Sequence, residues 1–170
     1  MTQSSPRFHE VLDSLRVNYI PAQYAFVQFF SEHLVDCSRT FNGDLAQVLV
    51  LAILGQRTLE AEYSRAPDSS EPTESMWMSA SRLSEVSGLP RETVRRKLSI
   101  LVDRGWVVRD AKGGFAIASD GVNAKARHDL ADIDARQTER MARLYLRLDK
   151  IAHRTPNLGR QTETEKPSTP

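Results

Sequence analysis

The chain has 170 residues, of which 40% are apolar, and a formal net charge of +1. This suits one ordinary domain, or a small domain with helical extensions, and excludes a protein that is strongly basic or acidic throughout. A single cysteine, Cys37, excludes an internal disulfide and fits a reducing compartment. The longest apolar run, Val48 to Leu54, is far below the roughly 20 residues that span a bilayer, and Met1 to Glu10 lack the apolar run of a secretory signal. We expect a cytoplasmic protein without a membrane partner.

Charge is segregated along the chain. From Ser79 to Ala118 there are eight basic and four acidic residues, whereas Phe41 to Met78 contain two basic and six acidic residues. The near-neutral total therefore conceals a basic segment, which can be attracted to an acidic partner.

Residues 1–65 are predicted to be a helical region that supports the rest of the chain and contributes to dimerisation. Apolar spacing predicts a first helix over Arg7–Tyr19 and a second over Ala22–Ser38, separated by Pro21. In the second helix we expect five residues to face inward: Ala25, Phe26, Phe29, Phe30 and Leu34.

A third helix is predicted from Leu45 to about Tyr63. Asn42-Gly43 is a turn signal, and Asp44 is placed as an N-cap, with Gln47 completing a near capping box. The helix is apolar on most sides, which indicates burial. Residues 65–75 are rich in Pro, Ser and acids and are predicted to form a mobile loop.

The central segment, residues 76–118, has a different pattern. A short strand is expected at Met76–Met78, then a helix Ala80–Ser87 capped by Ser79, with Leu83 and Val86 inward. After Gly88-Leu89-Pro90, a basic helix Arg91–Arg104 has Val94, Leu98 and Leu101 on one face, and Gly105 suits a left-handed residue beyond its end. Two β-rich runs, 106–108 and 115–117, flank a turn-forming segment at 110–114 and predict a hairpin.

Residues 122–154 are predicted to form one long helix, Ala124–His153, and residues 155–170 a disordered tail. Leu130 and Ile133 begin an apolar stripe on this helix. The stripe continues with a spacing typical of helices that pack together, and it is our candidate dimer interface: Met141, Leu144, Leu148 and Ile151.

The predicted elements of this segment follow the order helix, tight turn, basic helix and two-stranded hairpin. This order is typical of a winged helix-turn-helix. One apolar stripe holds the second helix on the core, and its opposite face can enter the major groove of DNA. The predicted DNA-binding residues lie on that face and at the hairpin tip: Arg91, Glu92, Thr93, Arg95, Arg96, Ser99 and Lys112.

The residues from Leu83 to Leu98, followed by Leu101 to Val107, resemble the DNA-binding heads of bacterial GntR-type and IclR-type regulators. The resemblance implies DNA contacts for Arg91, Thr93, Arg95 and Arg96. It covers about a quarter of the chain, and Pro90 departs from it, because those families often place a Ser or Thr cap there. The order of helices is more similar to MarR-type regulators, which dimerise through both ends. Residues 110–113 are a Lys version of the MarR-type wing pattern Asp-x-Arg-Gly.

We therefore predict a mainly α fold in which a winged helix-turn-helix with a small β-hairpin wing is flanked by N-terminal and C-terminal helices. Its partner is predicted to be duplex DNA, read by a homodimeric transcriptional regulator. An alternative is a winged-helix module that binds protein in a larger assembly. We expect no cofactor. We expect no metal site, since His33 and Cys37 could supply two ligands but a second ligand pair is missing. We expect no enzyme activity, since the sequence contains no catalytic motif. A small-molecule effector, or control by Cys37 oxidation, is left open.

Overall fold

The computed structural model describes residues 6–64, 76–119 and 124–153. The predicted mobile loop at 65–75 and the predicted disordered tail at 155–170 lie outside these residues. The described part of the chain is mainly helical, as predicted, and contains a small antiparallel sheet. Its elements in chain order are α1 Pro6–Val17, α2 Tyr19–Thr40, α3 Leu45–Tyr63, β1 Met78–Ser79, α4 Ala80–Ser87, α5 Arg91–Asp103, β2 Val107–Arg109, β3 Gly114–Ile117, α6 Lys125–Asp129 and α7 Ala131–Ala152.

The chain divides into two compact units, Glu32–Thr138 and Met1–Ser31 with Glu139–Pro170. The first unit contains the sheet and helices α3 to α6. In the second unit, the Ser14 hydroxyl donates to the carbonyl oxygens of Ile151 and Ala152 at 3.2 and 3.0 Å. Helix α1 contains no buried residue.

The sheet has the strand order β1-β3-β2, with both pairs antiparallel. Met78 pairs with Phe115, and Val108 pairs with Ala116. The β2–β3 connection is a tight turn at residues 110–113, in which Gly113 has φ +85°. That left-handed conformation favours glycine, because a side chain would clash with the backbone.

The core of the first unit lies between α3, α4, α5 and the sheet. Its most deeply buried large side chains come from all of these elements and are Val50, Leu54, Leu83, Val94, Leu98, Leu101 and Val107. The predicted apolar stripe of α5, Val94, Leu98 and Leu101, is confirmed, since each is at most 1% exposed. Trp106 is also buried and packs edge-on against Phe41.

Capping interactions mark the starts of α3 and α4 and the end of α5. Ser79 caps α4 by accepting from the Arg82 N–H, and Asp44 caps α3 by accepting from the Gln47 N–H at 3.0 Å. A capping box also requires the Gln47 side chain to accept from the Asp44 N–H. That part of the prediction is wrong, since the Asp44 N–H donates to the Phe41 carbonyl oxygen. After α5, Gly105 adopts φ +70°, and the Trp106 N–H donates to the Leu101 carbonyl oxygen, which closes the helix as predicted.

Two predicted helix boundaries are wrong. The break attributed to Pro21 falls at Asn18, and Pro21 lies in the first turn of α2, where a backbone N–H has no helical partner to lose. The single predicted C-terminal helix is two helices, because the chain turns at Leu130, which has φ −106° and ψ 14°.

The predicted inward faces also need correction. Phe26 and Phe30 are each 47% exposed, and the small residues Ala22 and Ala25 are the ones buried near the start of α2. On α4, Leu83 is buried as predicted, but Val86 is 51% exposed. Helical spacing alone does not distinguish a core-facing aromatic residue from one on an exposed apolar face.

Candidate nucleic-acid interface

Helix α5 has one buried and one exposed face. Its buried residues are Val94, Lys97, Leu98 and Leu101. Successive residues of an α-helix are about 100° apart around its axis. A line drawn along α5 opposite the centre of its buried face therefore passes close to Glu92, Arg96 and Ser99. The structure exposes all three of these residues.

The other predicted DNA-binding residues lie around this line. Arg91 and Arg95 are exposed on one side of it, and Thr93 is half-buried on the other. Lys112 is exposed in the β2–β3 turn. The predicted residues on α5 thus share an accessible helix, and the hairpin that contains Lys112 belongs to the same compact unit.

Lys97 does not belong to the exposed basic face, although it contributes to the basic count of this segment. It is 8% exposed, and its Nζ lies 2.5 Å from Asp44 Oδ2. Asp44 therefore caps α3 and binds α5 at the same time. Burial alone would raise the pKa of Asp44, but hydrogen bonds from Lys97 and the Gln47 N–H outweigh it and lower the pKa below the ordinary 3.8.

Arg95 Nη1 lies 3.0 Å from Glu92 Oε1, one turn earlier on the exposed face. Both side chains are more than 60% exposed, at 67% and 83%. Such an exposed pair is worth only about 0.3–0.5 kcal/mol. It therefore orients Arg95 weakly and leaves it able to bind a stronger anion.

A groove of about 650 Å³ lies between α5 and the hairpin, beside the start of α4. Arg95, Ser99 and Val102 line it from α5, and Arg109 and Phe115 line it from the hairpin. The sequence did not identify Arg109 as a site residue. Its position at the end of a strand, directly before a turn, is the signal that could have found it.

Contacts with α6 fix the base of the hairpin. Asp129 Oδ2 accepts from Trp106 Nε1 at 2.7 Å and from Lys125 Nζ at 2.5 Å. These two hydrogen bonds, the one from Lys125 being the stronger influence, lower the pKa of Asp129. The guanidinium of Arg104 lies over the Trp106 ring, 4.8 Å from its centre. The end of α5 and the start of β2 are therefore held together.

Cys37 is 3% exposed, and its Sγ lies 3.4 Å from His33 Nε2. Burial, and to a smaller extent the charge of Asp36, raise the pKa of the Cys37 thiol. Because the thiolate is the reactive form, this environment disfavours oxidation.

Among the residues that the structure describes, no helix is both long and apolar enough to cross a membrane. Comparisons of the chain with protein-family models, curated proteins and solved structures found no match. We therefore derive a function from the geometry and charge of this chain's own residues.

Proposed function

We propose that the segment from α3 to β3 is a winged helix-turn-helix that binds duplex DNA, with α5 in the major groove. The observation that carries this proposal is the division of α5 into two faces. One face is anchored in the core by Val94, Leu98 and Leu101 and by the Lys97–Asp44 ion pair. The other exposes Arg91, Arg95 and Arg96, which can bind guanine edges and phosphates.

The sheet supports this proposal. A strand before α4 and a hairpin after α5, in the order β1-β3-β2, place the hairpin beside the exposed helix. The turn then presents Lys112 to a DNA backbone that passes α5. As a regulator, the protein would use these contacts to occupy an operator.

We also propose that the protein acts as a homodimer through an exposed apolar surface on α2. We call this surface the α2 apolar face; its members are each 47–79% exposed and are Tyr19, Ile20, Tyr24, Phe26, Val27 and Phe30. At about 100 Å² each, they offer roughly 600 Å², and exposed apolar residues of α1 add more. That approaches the roughly 800 Å² that each partner contributes to a standard interface.

The C-terminal stripe contributes less to this proposed interface than its sequence pattern suggests. Ile151 is only 7% exposed, because its own chain already covers it, and a buried residue gains little from a partner. Leu144 and Leu148 are half-buried, whereas Met141 is 48% exposed. We retain Met141, Leu144 and Leu148 as secondary members of the interface.

Selection from random duplexes tests the proposed function. We expect the full chain to enrich one palindromic site, since a symmetric dimer reads two half-sites. Arg96→Ala should cost roughly 1–3 kcal/mol and relax the choice at one position of each half-site, because Arg96 lies near the centre of the exposed face.

Lys112→Ala is the matched control for the loss of one positive charge. It should weaken binding to selected and random duplexes equally, because a phosphate contact carries no sequence information. If selection enriches no site and neither variant changes binding, the protein does not read DNA, and the alternative of a protein-binding module is favoured.

A further inference from the structure

We propose that the groove between α5 and the hairpin holds a segment of the DNA sugar-phosphate backbone, with Arg95 and Arg109 as its two phosphate ligands. This inference rests on the proposed DNA-binding function and makes it more specific. It assigns Arg95 to the backbone and leaves base reading to the residues near Glu92, Arg96 and Ser99.

The two arginines stand on opposite walls of the groove. Arg95 belongs to α5 and lies about 60° around the helix from the central line, on the groove side. Arg109 ends β2, with its guanidinium 5.6 Å from the Phe115 ring centre. An anion that enters between them meets a cation from each wall, and the oxygens of a phosphodiester can accept charge-assisted hydrogen bonds from both.

The other lining residues fit the uncharged part of a nucleotide. Val102 and Phe115 give the groove apolar surface that the carbons of a deoxyribose can cover, and Ser81 adds a hydroxyl. A base edge offers hydrogen-bond acceptors to an arginine but carries no negative charge to neutralise two of them. A backbone segment satisfies the charged and the apolar walls together.

The acidic groups near the groove do not prevent this binding. Glu92 pairs with Arg95 at the surface, where the interaction is weak. Asp110 is directed into its own turn, since its Oδ1 accepts from the Gly114 N–H at 2.6 Å. A phosphate can therefore displace Glu92 from Arg95, and among the residues that the structure describes none of those lining the groove is acidic.

The test measures affinity for the selected duplex and for random duplex as salt is varied. Arg95→Ala and Arg109→Ala should each lower both affinities by at least roughly tenfold and reduce the salt slope by about 1.8, the value of one phosphate contact from each of two protomers. Arg57→Ala is the control, since Arg57 carries the same charge on α3 and does not line the groove. It should leave the slope unchanged.

A palindromic duplex with a methylphosphonate at the same position of each half-site, scanned along the site, identifies the phosphate itself. At the correct position the neutral group should weaken binding by the parent, and Arg109→Ala should then add nothing, because both changes remove the same contact. If the parent binds DNA but either arginine variant keeps the parent slope, the groove does not hold the backbone. If Arg95→Ala instead relaxes the choice at one base pair, Arg95 reads a base and the assignment is wrong. Failure of the parent to bind any duplex would overturn the proposed function itself.

Discussion

Asp44→Ala is expected to destabilise the protein by about 3 kcal/mol, more than the loss of any single surface contact. The reason is that one carboxylate has two roles. It caps α3 through the Gln47 N–H, and it neutralises Lys97, whose side chain is 10% exposed. Removing it leaves a buried ammonium without a counter-charge. Urea unfolding followed by tryptophan fluorescence measures the change, and operator affinity should fall with it, because α5 loses its attachment to α3.

Two further variants separate these roles. Asp44→Asn keeps an N-cap but removes the charge, so it should cost about 2 kcal/mol. Adding Lys97→Met to it should return the stability to within about 1 kcal/mol of the parent, because a buried ion pair can be replaced by apolar groups. If Asp44→Asn is as stable as the parent, the ion pair does not hold α5.

The ion pair also has a defined pH range. The pKa of Asp44 is lower in the folded protein than its ordinary 3.8. The ionised carboxylate therefore contributes its full stabilisation of the fold above pH 3.8, and this stabilisation is lost as the pH falls through the folded-state pKa. The stability difference between the parent and Asp44→Asn should therefore shrink below about pH 4.

The double variant Ile20→Glu, Tyr24→Glu is expected to abolish dimerisation and to reduce operator affinity about 100-fold or more. Ile20 is 79% and Tyr24 is 68% exposed, so charges at these positions should leave the fold of one chain intact. Between two chains they would desolvate four carboxylates against apolar surface. Sedimentation at micromolar concentration measures the mass, and unfolding confirms that the variant is folded.

Val86→Glu is the control for this experiment, because Val86 is an apolar residue of α4 that is 51% exposed and lies outside the α2 apolar face. It should sediment like the parent. A parent that sediments as a monomer, or a double variant that remains a dimer, would show that the α2 apolar face does not join two copies.

Local signals in the sequence explain which elements could be predicted. The bounds of α3 and α4 agree with the prediction because a capping residue stands before each helix, Asp44 and Ser79. The stripe of Val94, Leu98 and Leu101 follows from helical spacing, which only requires knowing that α5 is a helix. These features depend on residues close together in the chain.

The features that the sequence did not predict depend on contacts between residues far apart in the chain. Lys97 and Asp44 are 53 positions apart, so nothing in the pattern of α5 distinguishes this buried lysine from its exposed neighbours. The strand end before a turn could have singled out Arg109, but its place in the groove depends on the hairpin folding beside α5. The burial of Ala25 was predicted, but the exposed aromatic residues of α2 have the same spacing as core residues, and only the packed chain shows that Phe26 and Phe30 are exposed and that Ala22 is buried.

The salt dependence of binding to the selected duplex tests the central claim most directly. Each phosphate contact contributes about −0.9 to the slope of log affinity against log salt concentration. Arg91, Arg95, Arg109 and Lys112 from each of two protomers therefore predict a slope of roughly −7. A steep slope near this value, with a weaker but similarly salt-dependent affinity for random duplex, is the result that we expect. An affinity that does not change with salt, or no binding to any duplex at low salt, would contradict DNA binding by this protein.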